Sequence, residues 1–182
     1  MDQAVVNHIK LALYDMAFLD IKRAATGKSK MGAFILASCF IEYMAGFACG
    51  KATTKKDYAN FVSRYLPAIY DPTKLYADLR CKLVHNYSEG GSYWLTYSQP
   101  NLHGMTEHDR TIINLENFID DLENALHRLV QEIETDLSAQ LRALNRYKSI
   151  GLLCIGGIAP RRPNSTSAFK NNKTLSERQQ KI

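Results

Sequence analysis

A chain of 182 residues, 46% apolar and 23% charged, has the composition of one soluble globular domain with a sizeable core. Its four cysteines, Cys39, Cys49, Cys81 and Cys154, form no CxxC pair and meet no histidine at finger spacing, which argues against a disulfide framework and a structural zinc site. The net charge of +5 sits entirely in residues 159–182, where Arg161, Arg162, Lys170, Lys173, Arg178 and Lys181 face Glu177 alone, so any attraction to phosphate comes from a local patch or from this tail.

The opening "MDQAVVNHIK" lacks the basic, apolar and small-residue order of a secretory leader, and neither end carries a lipidation motif. A cytoplasmic chain is therefore expected. From Asp2 to about Ala25 two apolar stripes run at helical spacing, Val5, Ile9, Leu13, Met16 and Leu19 on one side and Leu11, Tyr14, Phe18 and Ile21 on another. This predicts a first helix covered on more than one side. "MGAFILASCFIEYMAGFACG", Met31 to Gly50, is nearly long enough to cross a bilayer but carries Glu42 near its middle, and a carboxylate at that depth is costly. A central core helix ended by Gly50 is expected instead, with no membrane span.

"KKDYANFVSRYLP" reads as a short third helix stopped by Pro67. Asp71 as N-cap and Pro72 at the first helical position open a fourth, which is expected to reach about His85 before the break at Gly90 and Gly91. "YWLTYS", the turn "SQPN" and the β-branched "TII" suggest two or three short strands. The next helix opens at Asn114 with the stripe Leu115, Phe118, Leu122, Leu126, Leu129, Ile133, Leu137, Leu141 and Leu144, read as one run of about eight turns. The expected architecture is all-α: a bundle of four or five helices over residues 1–148, with a small β-hairpin insertion at about 92–113 before the last long helix. Residues 149–182 are expected to be an apolar patch, "IGLLCIGGI", followed by a basic, polar tail.

The stretch "DLRCKLVHNYSEGG" places Arg80, His85 and Tyr87 at the end of that fourth helix. Arginine and histidine together suit metal-free cleavage of a phosphodiester. His85 takes a proton from a ribose 2′-hydroxyl or gives one to the leaving oxygen, and the planar fork of Arg80 holds the phosphate and its growing charge. Five residues of an ideal helix turn about 500°, leaving the two side chains about 140° apart. Either the helix loosens at His85, or two chains combine in an isologous dimer that gathers both motifs in one cleft.

"RCKLVHNY" resembles the signature of the HEPN superfamily (higher eukaryote and prokaryote nucleotide-binding domains): an arginine, four to six residues, a histidine and, in the toxin branch paired with a nucleotidyltransferase antitoxin, a tyrosine two residues later. The resemblance implies an all-α bundle, a homodimer around the motif and metal-independent endoribonuclease activity with no cofactor. It also implies RNA as substrate, a role in a toxin–antitoxin or phage-defence system, and adenylylation of Tyr87 as an off switch. Cys81 departs from the pattern, since the family often has a polar residue directly after the arginine. The competing reading is a non-catalytic helical dimer that binds a nucleotide, RNA or a protein partner.

Glu42, the one charge in the core helix, either pairs with Arg80 and fixes its rotamer or lies on an exposed or interface edge. Lys74, Asp78 and Lys82 stand four residues apart and read as helix-surface ion pairs. His103 and His108 flank Glu107 in a segment containing Gly104 that is not helical, so a metal site is not expected. Tyr93, Trp94 and Tyr97 suit stacking on bases, but alternating aromatics in a short strand more often pack on a neighbouring helix.

Overall fold

The computed structural model describes residues 3–88 and 90–152 as a mainly α-helical fold with one small sheet. Helix α1 spans residues 3–26 in three parts: α-helical Gln3–Leu11, π-helical Ala12–Phe18 and α-helical Leu19–Thr26. The π turn explains the two stripes in the sequence. Ile9 and Leu13 are buried from the first stripe, and the burial passes to Phe18 and Ile21 of the second, a step of five residues that i→i+5 bonding accommodates.

Helix α2, Lys30–Cys49, buries Phe34, Ala37, Phe40, Ile41, Met44 and Phe47. It is long and apolar enough to cross a bilayer, but 56% of its most apolar window is buried inside the fold. Every other helix packs around it or around its immediate neighbours. Helix α3, Lys55–Tyr65, starts at a reciprocal capping box between Thr54 and Asp57 and ends before Pro67. Helix α4 comprises Pro72–Leu75, a π-helical stretch Tyr76–Leu83 and a last turn Val84–Asn86. Asp71 caps it as expected, accepting from the Thr73 and Lys74 amides at 2.9 Å each.

The sheet is not the simple hairpin that the sequence suggested. Strands β1 (Tyr93–Thr96), β2 (Thr106–Glu107) and β3 (Arg110–Asn114) lie in the order β1-β3-β2, with β1 parallel to β3 and β2 antiparallel to it. The hairpin is β2–β3, closed by His108 and Asp109 with φ of 47° and 61°, the doubly left-handed turn that matches strand twist. The single long helix after Asn114 is also corrected. Helix α5, Leu115–Thr135, stops at Asp136, whose carboxylate caps a separate helix α6, Leu137–Ile150. The leucine stripe does not survive the break: Leu137 and Leu141 are exposed, and α6 buries Ala139 and Ala143 instead. Small residues let its backbone lie close on α2 and α5. The segment beyond Leu152, including Cys154 and the basic tail, lies outside the described residues.

His103 has a structural position. Its Nδ1 accepts the Asn114 amide at 3.1 Å, its Nε2 lies 3.2 Å from the Tyr70 hydroxyl, and that hydroxyl donates to Asp121 at 2.7 Å. His108 sits apart in the exposed β2–β3 turn, 3.9 Å from Glu107. The buried Tyr70 thus ties the loop before α4 to the sheet and to α5. Burial and the Asp121 carboxylate push its phenol far above the usual range. Tyr70→Phe is expected to leave two partners unmatched and lower stability by about 1–3 kcal/mol, read as an earlier midpoint in urea; an unmoved midpoint would show that this cluster holds nothing.

Candidate functional site

The core of helix α4 is a row of leucines, Leu75, Leu79 and Leu83, all fully buried. A strict period of four runs ahead of the 3.6-residue α turn, and a wider turn suits it. The i→i+5 bonding of Tyr76–Leu83 also bears on the motif. It reduces the turn between Arg80 and His85 below the 140° or so of an ideal α-helix, so the helix does loosen, and it does so at the arginine.

Arg80 faces α2, and its Nε donates to Glu42 Oε2. Of the two readings of Glu42, the ion pair is the one present. Both side chains are mostly buried, with 22% and 31% of their surface exposed. Burial works to lower the Arg80 pKa, but the hydrogen bond and charge of Glu42 outweigh it and leave the guanidinium above its ordinary value. No other partner takes its remaining nitrogens among the described residues. Cys39, one turn before Glu42, has its thiol pushed up by burial, against the opposing pull of Arg80. Behind the pair stands Tyr58, fully buried, its ring 5.2 Å from that of Tyr76 and its hydroxyl without a hydrogen bond. Burial raises its pKa well above the usual phenol value.

His85 is exposed in the last turn of α4 and makes no side-chain bond to the described residues. Tyr87 ends the helix, not the glycine pair: it takes a left-handed φ of 55°, and its amide donates to Leu83 O at 3.0 Å. A bulky side chain there is strained by about 1–3 kcal/mol. Its ring projects into solvent, 69% exposed. Within one chain, then, Glu42 and Arg80 form a unit, while His85 and Tyr87 follow on the same helix end with exposed side chains.

Asp78 makes the ion pair with Lys82 that its spacing suggested, but from a buried position. It is 3% exposed, and while Oδ1 does meet Lys82 at 3.0 Å, Oδ2 accepts the Gly91 and Ser92 amides at 3.3 and 2.9 Å. Lys74 has no part in this. The loop after the motif is thereby tied back onto the motif helix, and Gly90 is needed for it: its φ is +78°, and a Cβ there would come within 2.3 Å of the Asp78 carboxylate. The tyrosine and tryptophan strand divides as well. Tyr93 is buried and donates to Asp71 O at 3.3 Å, whereas Trp94 lies under Arg110 at 4.3 Å and Tyr97 is exposed.

No family model, curated protein or solved structure matches this chain. Asp78 supplies a direct check of the site's scaffold. Burial raises its pKa, but the bonds from Ser92, Lys82 and Gly91 outweigh this and hold it below the ordinary carboxylate value. A depressed folded pKa contributes stability that is present above about pH 4 and lost as the pH falls through the folded value. Urea midpoints of the wild type are therefore expected to fall more steeply than those of Asp78→Asn between about pH 5 and pH 2; parallel curves would remove Asp78 from the account.

Proposed function

We propose that the chain is a metal-independent endoribonuclease of the HEPN type, an α-helical bundle acting as a symmetric homodimer. The observation that carries this reading is the Glu42–Arg80 pair on a widened helix whose next turn carries an exposed His85 whose side chain bonds to none of the described residues. Glu42 holds the guanidinium through Nε, which leaves the two terminal nitrogens for a scissile phosphate and its developing charge. His85 removes the proton from the ribose 2′-hydroxyl, the alkoxide attacks phosphorus, and the 5′-oxygen leaves with a proton from the partner's His85. The products are a 2′,3′-cyclic phosphate and a 5′-hydroxyl. Two motifs across a twofold axis supply the base and the acid that one chain lacks.

Tyr87, with its ring in solvent, is accessible to adenylylation by a nucleotidyltransferase antitoxin, which supports the toxin branch of the reading. The same ion pair also supports the competing one: if Arg80 serves only to neutralise Glu42, the chain is a non-catalytic helical dimer that binds a nucleotide, RNA or a protein.

Cleavage of RNA in EDTA separates the two. His85→Ala is expected to slow it by about 10²–10⁴, with an unchanged melting curve, because the ring is exposed and unbonded. Arg80→Lys also fails, since lysine lacks the fork. Equal rates in wild type and His85→Ala, or cleavage abolished by chelator, would refute the ribonuclease.

A further inference from the structure

Helix α6 lays two arginines across α2, one turn apart, and they differ in one respect. Arg142 is satisfied: its Nε donates to Ala48 O at 2.6 Å and its Nη1 to Ser138 Oγ at 3.1 Å. Arg146 is not. Its Nε and Nη1 are shut away from solvent with no hydrogen-bond partner. The side chain passes over Gly46, where a Cβ would lie 2.6 Å from Nε, and its guanidinium carbon stands 5.9 Å from the Phe47 ring. Glycine is what lets it lie there.

Arg146 lines an open cleft of about 320 Å³ together with Cys39, Glu42, Tyr43, Thr53 and Ile150. The charges around that cleft do not cancel. Glu42 is already paired with Arg80, and among the described residues no carboxylate pairs with Arg146. The Thr53 hydroxyl donates to the Glu42 carbonyl at 2.9 Å, and no hydrogen bond joins it to Arg146 Nε or Nη1. Two buried guanidinium donors without acceptors carry a desolvation cost, which the side chain sheds by turning them towards an anion in the cleft.

We infer that this cleft is a phosphate-binding subsite, in which Arg146 holds a phosphate of the RNA next to the one engaged by Arg80. Glu42 bonds Arg80 and also lines the Arg146 cleft, so the two positions are neighbours. That the phosphate belongs to RNA rests on the ribonuclease reading. The anion site rests on Arg146 alone.

The probe is a five-nucleotide RNA with 2′-O-methyl groups throughout, which no 2′-hydroxyl mechanism can cleave, titrated against the full chain over a range of salt. Arg146→Gln is expected to bind about tenfold more weakly, with the slope of log affinity against log salt smaller by about 0.7, one single-strand phosphate contact. Arg146→Lys keeps the charge and should keep the slope. Inorganic phosphate should compete more weakly in Arg146→Gln than in the wild type, because only the Arg80 position then remains to it. If Arg146→Gln fails to fold, Gly46→Ala displaces the same guanidinium and takes its place in the comparison. Unchanged affinity and slope in whichever of the two folds overturn the subsite, even where cleavage of ordinary RNA is seen. Loss of binding in a protein that cleaves no RNA keeps the anion site and removes the ribonuclease instead.

Discussion

The ion pair between Glu42 and Arg80 is the interaction on which the site depends. Helix α2 is apolar along almost its whole length, and a lone carboxylate on it would be either an exposed edge or a serious cost. Arg80 resolves this from the neighbouring helix, with both groups largely out of water. In such surroundings a pair adds little net stability over apolar packing, but removing one partner leaves a charge stranded and costs about 3–5 kcal/mol. The pair therefore acts mainly by placing the guanidinium: with Nε committed to Glu42, the direction of the remaining donors is set before any ligand arrives, the preorganisation that electrostatic stabilisation of a transition state requires.

What brings Arg80 to that position is an irregular helix. Leu75, Leu79 and Leu83 keep the inner row of α4 buried, Asp78 ties the following loop to the same helix, and the wide turn accommodates both while leaving Arg80 facing α2. The strain at Tyr87 closes this segment. A tyrosine in a conformation that favours glycine persists only because its neighbours hold it, and here the Leu83 carbonyl and the tied-back loop do so. One short stretch thus contains a wide turn, a buried carboxylate and a left-handed tyrosine.

Much of this was legible in the sequence, and the failures have physical causes. Two caps were readable, since Asp71 and Asn114 act through bonds to amides two or three residues away. So was the core position of α2, from its apolar length. The π turns were not, because only i→i+5 bonding relates Leu13 to Phe18, and periodicity at 3.6 residues reads them as two stripes. The leucine stripe after Asn114 misled for a related reason: a period that continues through Asp136 gives no sign that the chain changes direction there, and only the cap reveals it. Asp78 was legible only in part, because i,i+4 spacing to a lysine describes one oxygen and says nothing of the other. Arg146 had no signal at all. Its meaning depends on α6 crossing α2 over Gly46, a contact a hundred residues apart in sequence that no local pattern encodes.

The central claim is that the catalytic groups of two chains complete one site. The most direct measurement refolds a fixed amount of wild type together with a large excess of His85→Ala and follows RNA cleavage in EDTA. A mixed dimer then carries a single intact His85 and lacks either the base or the acid. The account predicts that the rate falls well below that of the same wild-type chains refolded alone. An unchanged rate, in a sample that light scattering shows to be dimeric, would contradict it.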